Sequence, residues 1–427
     1  MGYPPTLVWQ AIQCDLFFQS QMTKYLQNNL LYTLLALFLL GACQDSGPLV
    51  GPDAIEPAGK LVDLSPGVFT ASHQGQEVFT IRATKWRDGH RAAVSVTYDA
   101  PWGIHPVFSL ATDAAIARGL AMDIEIVSNK LSHFKRVPNV QRMHEELIPN
   151  NIGFFGHGHA HIDHDALGYH AAYRSFRINY VMMRAWGLNP KTYAYPLFAG
   201  RDAQTQAANR QAGFIAARGG TRDANAYYIC ANSVREPENW YNLPSVIMGN
   251  ASTRDPSTHD QLRPILLKTL RKRAWTIMTY HSIGHPEGWG YYPHAEFIRD
   301  LDFIKANDFW SGKFASIAAY IQERNALDIQ IARYFGRDMP NRFEFILSDG
   351  LDNDLYDEPL TLDFTFNPDL NVRFARIHPS QANGQNRFAV VEDRLRLNMV
   401  PDERLYTLTI ERESPNDPWA DYASDGQ

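Results

Sequence analysis

The sequence predicts an α/β fold: a parallel sheet closed into a distorted (β/α) barrel, followed by a C-terminal antiparallel β domain. Three observations carry this. From about residue 85 to 330, short β-rich runs alternate with helical stretches; alternation of that length implies a parallel sheet, and a barrel is the usual way to close one. After about residue 338 the pattern changes to period-two alternation broken by Pro, Asn, Asp and Gly. The composition, 45% hydrophobic and 20% charged over 427 residues, is that of a globular chain able to bury a large core.

The first segment of the chain reads as lying outside the fold. Residues 30–42 are LLYTLLALFLLGA, interrupted only by Thr33, and Cys43 follows. About 13 apolar residues are too few to span a bilayer, which takes roughly 20. They suit the apolar region of a secretory signal. LGAC resembles the bacterial lipobox, so residues 1–42 are expected to be a signal peptide and Cys43 the lipidated first residue of an exported protein. Met22, just before Lys24, gives a signal of ordinary length, which makes residues 1–21 an over-called start. Gln44 is not the aspartate associated with inner-membrane retention, so the outer membrane is the expected envelope site. Residues 43–84, with QDSGPLVGPD directly after Cys43, are a lipid tether and lead-in. Of the 3 cysteines only Cys230 remains in the mature body, which rules out an intramolecular disulfide; Cys230 is expected to be inert and buried.

The domain from 85 to 335 supplies the strands AAVSVTY (92–98), AMDIEIVS (121–128), IGFFGH (152–157), TYAYP (192–196), FIAARGG (214–220) and WTIMTYHS (275–282). FSLATDAAIARGL (108–120) lies between two of them as a helix. Phe297, Leu301 and Ile304, then Phe314, Ile317 and Ile321, mark the buried faces of two later helices by their spacing. RFEFIL, LTLDFTF, VRFARI and LYTLTI are the strands of the β domain, 338–413, with Phe343, Phe345 and Leu347 on one face; residues 414–427 are a flexible tail. A net charge of −6 argues against nucleic acid as a partner, since phosphate binding wants a basic face. The 12% of aromatic residues suits a large core or stacking against sugar rings.

Residues 156–167, GHGHAHIDHDAL, put four of the chain's 15 histidines into twelve residues, either as metal ligands or as a polar surface loop. This stretch follows the third strand, Asp99 follows the first and His281 follows the last. The C-terminal ends of barrel strands converge on one mouth, so a carboxylate, a histidine pair and a separate histidine meet there.

Taken in order, TYDA (97–100), HGHAH (157–161), YPLFAG (195–200) and YHS (280–282) resemble the motifs of the polysaccharide deacetylase (NodB-homology) family of carbohydrate esterases. NRQAGFIAARGG (209–220) and FASIAAYIQERNA (314–326) have the look of its exported members, and the resemblance covers roughly residues 85–330. It implies a hydrolase that removes N- or O-linked acetyl groups from a glycan. His157 and His161 would hold a divalent metal, zinc by preference, with Asp99 as general base and His281 as general acid. Tyr195 and Pro196 would line the mouth, where a backbone N–H faces the oxyanion. The chemistry agrees: a metal on imidazoles lowers the pKa of bound water, and histidine titrates near neutral pH.

Three positions depart from the family pattern. Ala100 stands where the family has a metal-ligating aspartate, so Asp99, His105, His159 or Asp163 is left to supply the missing ligand. KTYAYP offers only Lys191 for the third motif's arginine, and Gly158 replaces a Ser or Thr. Two other readings stay open: a catalytically silent barrel that binds carbohydrate, and a metal-independent amidohydrolase acting on a small C–N substrate.

Overall fold

The computed structural model describes residues 67–412, except 74, 100–102, 104–106, 134–135, 336–340 and 382–383. The expected signal, Cys43 and the tail from 414 onward lie outside the described residues, as do Ala100 and His105. No helix among the described residues is long and apolar enough to cross a membrane.

Two strands come before the barrel, β1 (Phe69–His73) and β2 (Gln76–Ala83). The barrel strands are β3 (Ala92–Tyr98), β4 (Met122–Ile126), β5 (Ile152–Gly156), β6 (Thr192–Ala194), β7 (Ala216–Arg218), β8 (Val246–Ile247), β9 (Trp275–Tyr280) and β10 (Phe309–Ser311). They form one parallel sheet in the order β7-β6-β5-β4-β3-β9-β8. β10 pairs with the start of β3, where β4 has not yet joined it. Parallel bridges Arg218↔Leu243 and Thr221↔Val246 tie the two edges together, so the sheet closes as a barrel with one irregular seam. Val94, Val96, Ile124, Met278 and their neighbours pack outward against the helices, with Phe297, Leu301 and Ile304 on Trp-free helical faces as the spacing predicts.

The remaining strands are antiparallel: β11 (Asp328–Phe335), β12 (Arg342–Ser348), β13 (Leu360–Phe366), β14 (Val372–His378), β15 (Arg387–Ala389), β16 (Arg394–Met399) and β17 (Asp402–Arg412). They make two sheets, β1-β2-β13-β16 and β11-β12-β17-β14-β15. Phe79 of the first sheet meets Phe343 of the second edge-on at 4.9 Å, and Phe345 lies 6.1 Å from Phe364, so the sheets pack face to face. Here the structure differs from the ranges drawn on sequence. Residues 69–83, placed in the lead-in, contribute two strands to this sandwich, and β11 begins at Asp328, inside the range given to the barrel domain. Nor is the sandwich core separate: Phe79, Phe345 and Leu362 share one apolar cluster with Ala93, Trp275, Ile277, Phe314 and Ile317 at the barrel floor. Alternation along a strand tells which side chains are buried but not which sheet edge the strand joins.

Candidate active site

Strand pleating places the site. Along β3, Val94, Val96 and Tyr98 face outward into the helix layer, so Ala93, Ser95, Thr97 and then Asp99 face the barrel interior. The same alternation turns Asp123 and Glu125 of β4, Phe155 and then His157, and Ile277, Thr279 and then His281 inward. With Arg218 at the end of β7, five ionisable side chains gather at the C-terminal mouth. Asp99, His157, His161, Tyr195 and His281 line a cavity of about 640 Å³ there. Its rim is apolar, formed by Val107, Leu197, Phe198 and Trp289, with Leu197 62% and Trp289 56% exposed.

Asp99 is buried and paired with the guanidinium of fully buried Arg218. Burial by itself would raise the Asp99 carboxyl, but Arg218, helped by His157 and His281, holds it below the ordinary range. Arg218 lies 5.2 Å over the Phe155 ring, and among the described residues its Nε and Nη1 have no hydrogen-bond partner. Lys191, the sequence candidate for this role, points elsewhere: its Nζ is 2.5 Å from Asp357. The arginine comes from the next strand, β7.

His157 Nδ1 donates to the Ala194 carbonyl at 2.9 Å, and its Nε2 stands 3.0 Å from Oε2 of Glu125, which has no solvent exposure. Burial would lower the His157 pKa, but Glu125, then Asp99, raise it on balance. His161 is exposed at the rim, its ring centroid 5.0 Å from that of His157. His281 is buried, with Trp289 edge-on at 4.5 Å and Phe198 at 6.0 Å. Its Nδ1 has no hydrogen-bond partner among the described residues. Burial, with Arg218 and His157 adding to it, pushes its pKa down to about 4. The expectation of a histidine titrating near neutral pH is therefore corrected: in this pocket the imidazole rests neutral.

The Tyr195–Pro196 turn also departs from expectation. Tyr195 lines the cavity, but its amide donates to Arg218 O at 3.0 Å rather than facing an oxyanion. Pro196 is buried and does not line the cavity; Leu197 and Phe198 do. The histidine-rich stretch divides by role. His157 and His161 reach the cavity. His159 meets Ser128 Oγ at 3.1 Å, and Asp163 accepts the Asp165 amide at 2.9 Å. His164 is stacked 4.5 Å from Phe176, with Nε2 at 2.9 Å from Ser175 Oγ, and is core. Asp165 accepts the amides of Gly200 and Arg201, tying the stretch to the next loop. Cys230 is half-buried rather than buried.

Sequence reading missed Glu125 and Arg218. A signal was present in both cases: each is a charged residue inside a run otherwise fit for a wholly buried parallel strand, where a charge needs a partner.

As the side chains stand, no group of three His, Cys, Asp or Glu residues among those described is placed to hold a metal ion. Two donors nevertheless have the right chemistry. An Nδ1–H bonded to a carbonyl is the usual support of a metal-binding imidazole, because it leaves Nε2 as the ligand atom. Nε2 here faces a buried carboxylate. As they stand, though, His157 Nε2 and the Glu125 carboxylate are paired with each other, and the described residues do not assemble a metal site.

The sequence matches no protein-family model and no curated protein. Among solved structures, a protein from Mycobacterium smegmatis described as a polysaccharide deacetylase is similar with a TM-score of 0.44 at 12% identity, covering 60% of this chain and 98% of its own. A family 4 carbohydrate esterase from Streptomyces lividans, in complex with acetate, gives 0.35 at 12% identity, with 52% and 92% covered. The allantoinase PuuE gives 0.41 at 13% identity, with 55% and 92% covered. The likeness is to polysaccharide deacetylases and their esterase relatives.

Proposed function

We propose that this chain is a hydrolase that removes acetyl groups, N- or O-linked, from an oligosaccharide or polysaccharide, acting from the bacterial envelope to which a lipidated Cys43 anchors it. The observation that carries this reading is the pairing at the mouth: Asp99 kept ionised by Arg218, beside a buried neutral His281, on one cavity with an apolar rim. Hydrolysis adds the oxygen of one water to the acyl carbon and a proton to the leaving nitrogen or oxygen. Asp99 and His281 both rest unprotonated at neutral pH. One takes the proton from water, and the same proton goes to the leaving group as the acyl bond breaks. The exposed Trp289 face offers a platform for a sugar ring. A divalent ion, zinc by its affinity for imidazole donors, would lower the pKa of its bound water toward about 7 when held at His157 and His161.

The test is acetate release by the full chain from N-acetylated and O-acetylated oligosaccharides. Release from one class, reduced by His281→Ala, is expected. Glycan binding with no release from either class would leave a silent carbohydrate-binding barrel instead. A second reading, a metal-independent amidohydrolase on a small C–N substrate, is favoured by the lack of three assembled metal donors among the described residues. Turnover of small amides, unchanged by chelators, would select it.

A further inference from the structure

We propose that the cleft between the barrel floor and the sandwich, lined by Arg82, Lys85, Arg273 and Arg396, binds a phosphoryl anion, either free or as the headgroup of a lipid. The inference goes beyond the hydrolase reading and does not rest on it.

Four separate segments deliver the cations. Arg82 is next to last in β2, and Lys85 follows that strand. Arg273 caps the helix His259–Lys272 in the left-handed conformation, and Arg396 comes from β16. They line a cavity of about 260 Å³ that contains one carboxylate, Asp363. That carboxylate is already taken: Arg396 donates to it from Nε at 2.6 Å and Nη2 at 3.0 Å, and from Nη1 to Asp88 O at 2.8 Å. Gly89, at a φ of +75°, makes room for this guanidinium, since a Cβ there would stand 2.2 Å from Nη1. His90, also on the lining, is turned to Asp308 at 2.8 Å. Arg82 and Arg273 are exposed, and neither side chain has an ion-pair or hydrogen-bond partner among the described residues. Lys85 Nζ donates to a neutral acceptor, Asn232 Oδ1, at 2.6 Å. The result is four cations against one carboxylate, in a chain whose net charge is −6.

The charge behind the cleft has the same sign. Arg324 is 2% exposed and donates to Lys85 O, Ala231 O and Asn325 Oδ1, all of them neutral. Burial first, and then Arg324 and Arg273, bring the Lys85 ammonium down to about 8, against Cys230 and Glu236. An ammonium lowered by neighbouring cations marks an excess of positive charge, which a bound anion relieves. Guanidinium forks match phosphoryl oxygens, and an ammonium adds a point charge. Cations converging from several directions suit a tetrahedral anion better than a flat carboxylate. The cleft is distinct from the mouth: β3 runs between the two ends over seven residues, roughly 23 Å. Phe69 of β1 pairs with Ile81 of β2, so the chain coming from Cys43 joins the fold beside Arg82. That makes a lipid headgroup a source to test beside a free phosphate compound.

Inorganic phosphate and pyrophosphate are titrated calorimetrically into the full chain at low ionic strength. One equivalent of pyrophosphate is expected to bind. Arg82→Gln and Arg273→Gln should each weaken binding by ~10-fold, the loss of one charge-assisted hydrogen bond. Neither side chain holds anything else in the fold, so both variants should fold as the parent does. Arg271→Gln, exposed at the same helix end but outside the cleft, should bind within about twofold of the parent, because exposed charges are screened. Sedimentation with phosphatidylcholine vesicles, with and without one part in five of phosphatidylglycerol, reads the lipid source. A preference for the phosphatidylglycerol vesicles that disappears in the Arg82→Gln, Arg273→Gln double variant upholds the site with a headgroup as its ligand. Pyrophosphate binding that this variant loses, without a vesicle preference, upholds it with a free phosphate compound. Binding in neither arm overturns the proposal, as does affinity unchanged in the double variant. An equal loss in Arg271→Gln also overturns it, leaving a diffuse surface field in place of a site. Neither arm needs turnover, so this inference and the hydrolase reading fail separately.

Discussion

β4 carries two buried carboxylates, two residues apart on one face, and they serve opposite ends of the barrel. Asp123, at the floor, accepts the Phe314 amide at 2.7 Å at the start of the helix Phe314–Ala326. Glu125, at the mouth, faces the Nε2 of His157. The floor is covered by the β sandwich, and its buried charges are tied to backbone: Arg324, for example, donates to Lys85 O at 2.8 Å and Ala231 O at 3.0 Å. The mouth opens on a cavity, and its charges are tied to one another, with His281 Nδ1 and two Arg218 nitrogens unpaired among the described residues. A charge bonded to backbone holds a helix or loop in place. Ionisable groups coupled around an open cavity perturb one another and await a ligand, which is the usual mark of a functional site.

The largest effect should test whether activity belongs to the mouth alone. His281→Ala and Asp99→Asn should each slow acetate release by ~10²-fold or more, as expected for loss of a proton-transfer group. Asp123→Asn, which keeps an acceptor for the Phe314 amide, should leave kcat within about twofold, since the group is remote from any step of general acid–base chemistry. Initial rates on one acetylated oligosaccharide decide it. A comparable loss in Asp123→Asn would break the division between the two ends.

The next effect is on stability, and its sign should differ between the ends. Burial raises the Asp123 carboxyl to about 7, against the pull of the Phe314 amide and Lys313. Between about pH 4 and 7 the folded state therefore keeps a proton that the unfolded state has released, and stability from this group falls as pH rises. His281 is pushed down to about 4. Between about pH 4 and 6.5 the unfolded state binds the proton instead, so stability from this group rises with pH and is lost as pH falls toward 4. Thermal midpoints against pH should show Asp123→Asn removing the falling contribution and His281→Gln removing the rising one. Curves parallel to that of the parent would remove the electrostatic part of the contrast.

The smallest effect belongs to the apolar rim. Trp289→Ala should raise KM for an oligosaccharide by ~3- to 10-fold, the scale of one aromatic contact, and leave kcat unchanged. A fall in kcat alone would mean that Trp289 acts on His281, which it touches, and not on the sugar.

Much of the barrel was legible in the sequence. β3 occupies the same residues as the run AAVSVTY, and the helices His294–Ala306 and Phe314–Ala326 bury the residues that their spacing marks. β8 and β10, of two and three residues, were missed, although β6 and β7, of three residues each, were found inside longer β-rich runs. β1 and β2 were passed over because their place beside β13 depends on a pairing about 280 residues distant in sequence. In the site, Asp99, His157, His161 and His281 were found from their positions after strands, and the structure puts them on one cavity. Pro196 was placed there and is not, because the turn directs Leu197 and Phe198 into the cavity instead.

By itself, the sequence determined which face of each strand turns inward and which residues sit at strand ends, because a two-residue period and chain direction are local properties. It could not determine the partners. Asp99 and Arg218 lie 119 residues apart, and Glu125 and His157 sit on different strands, so their pairing depends on the order and register of the sheet. Only the tertiary structure decided the protonation states. A neutral His281 and an ionised Asp99 follow from desolvation and through-space charge, which exist once distant strands have brought the groups together out of water.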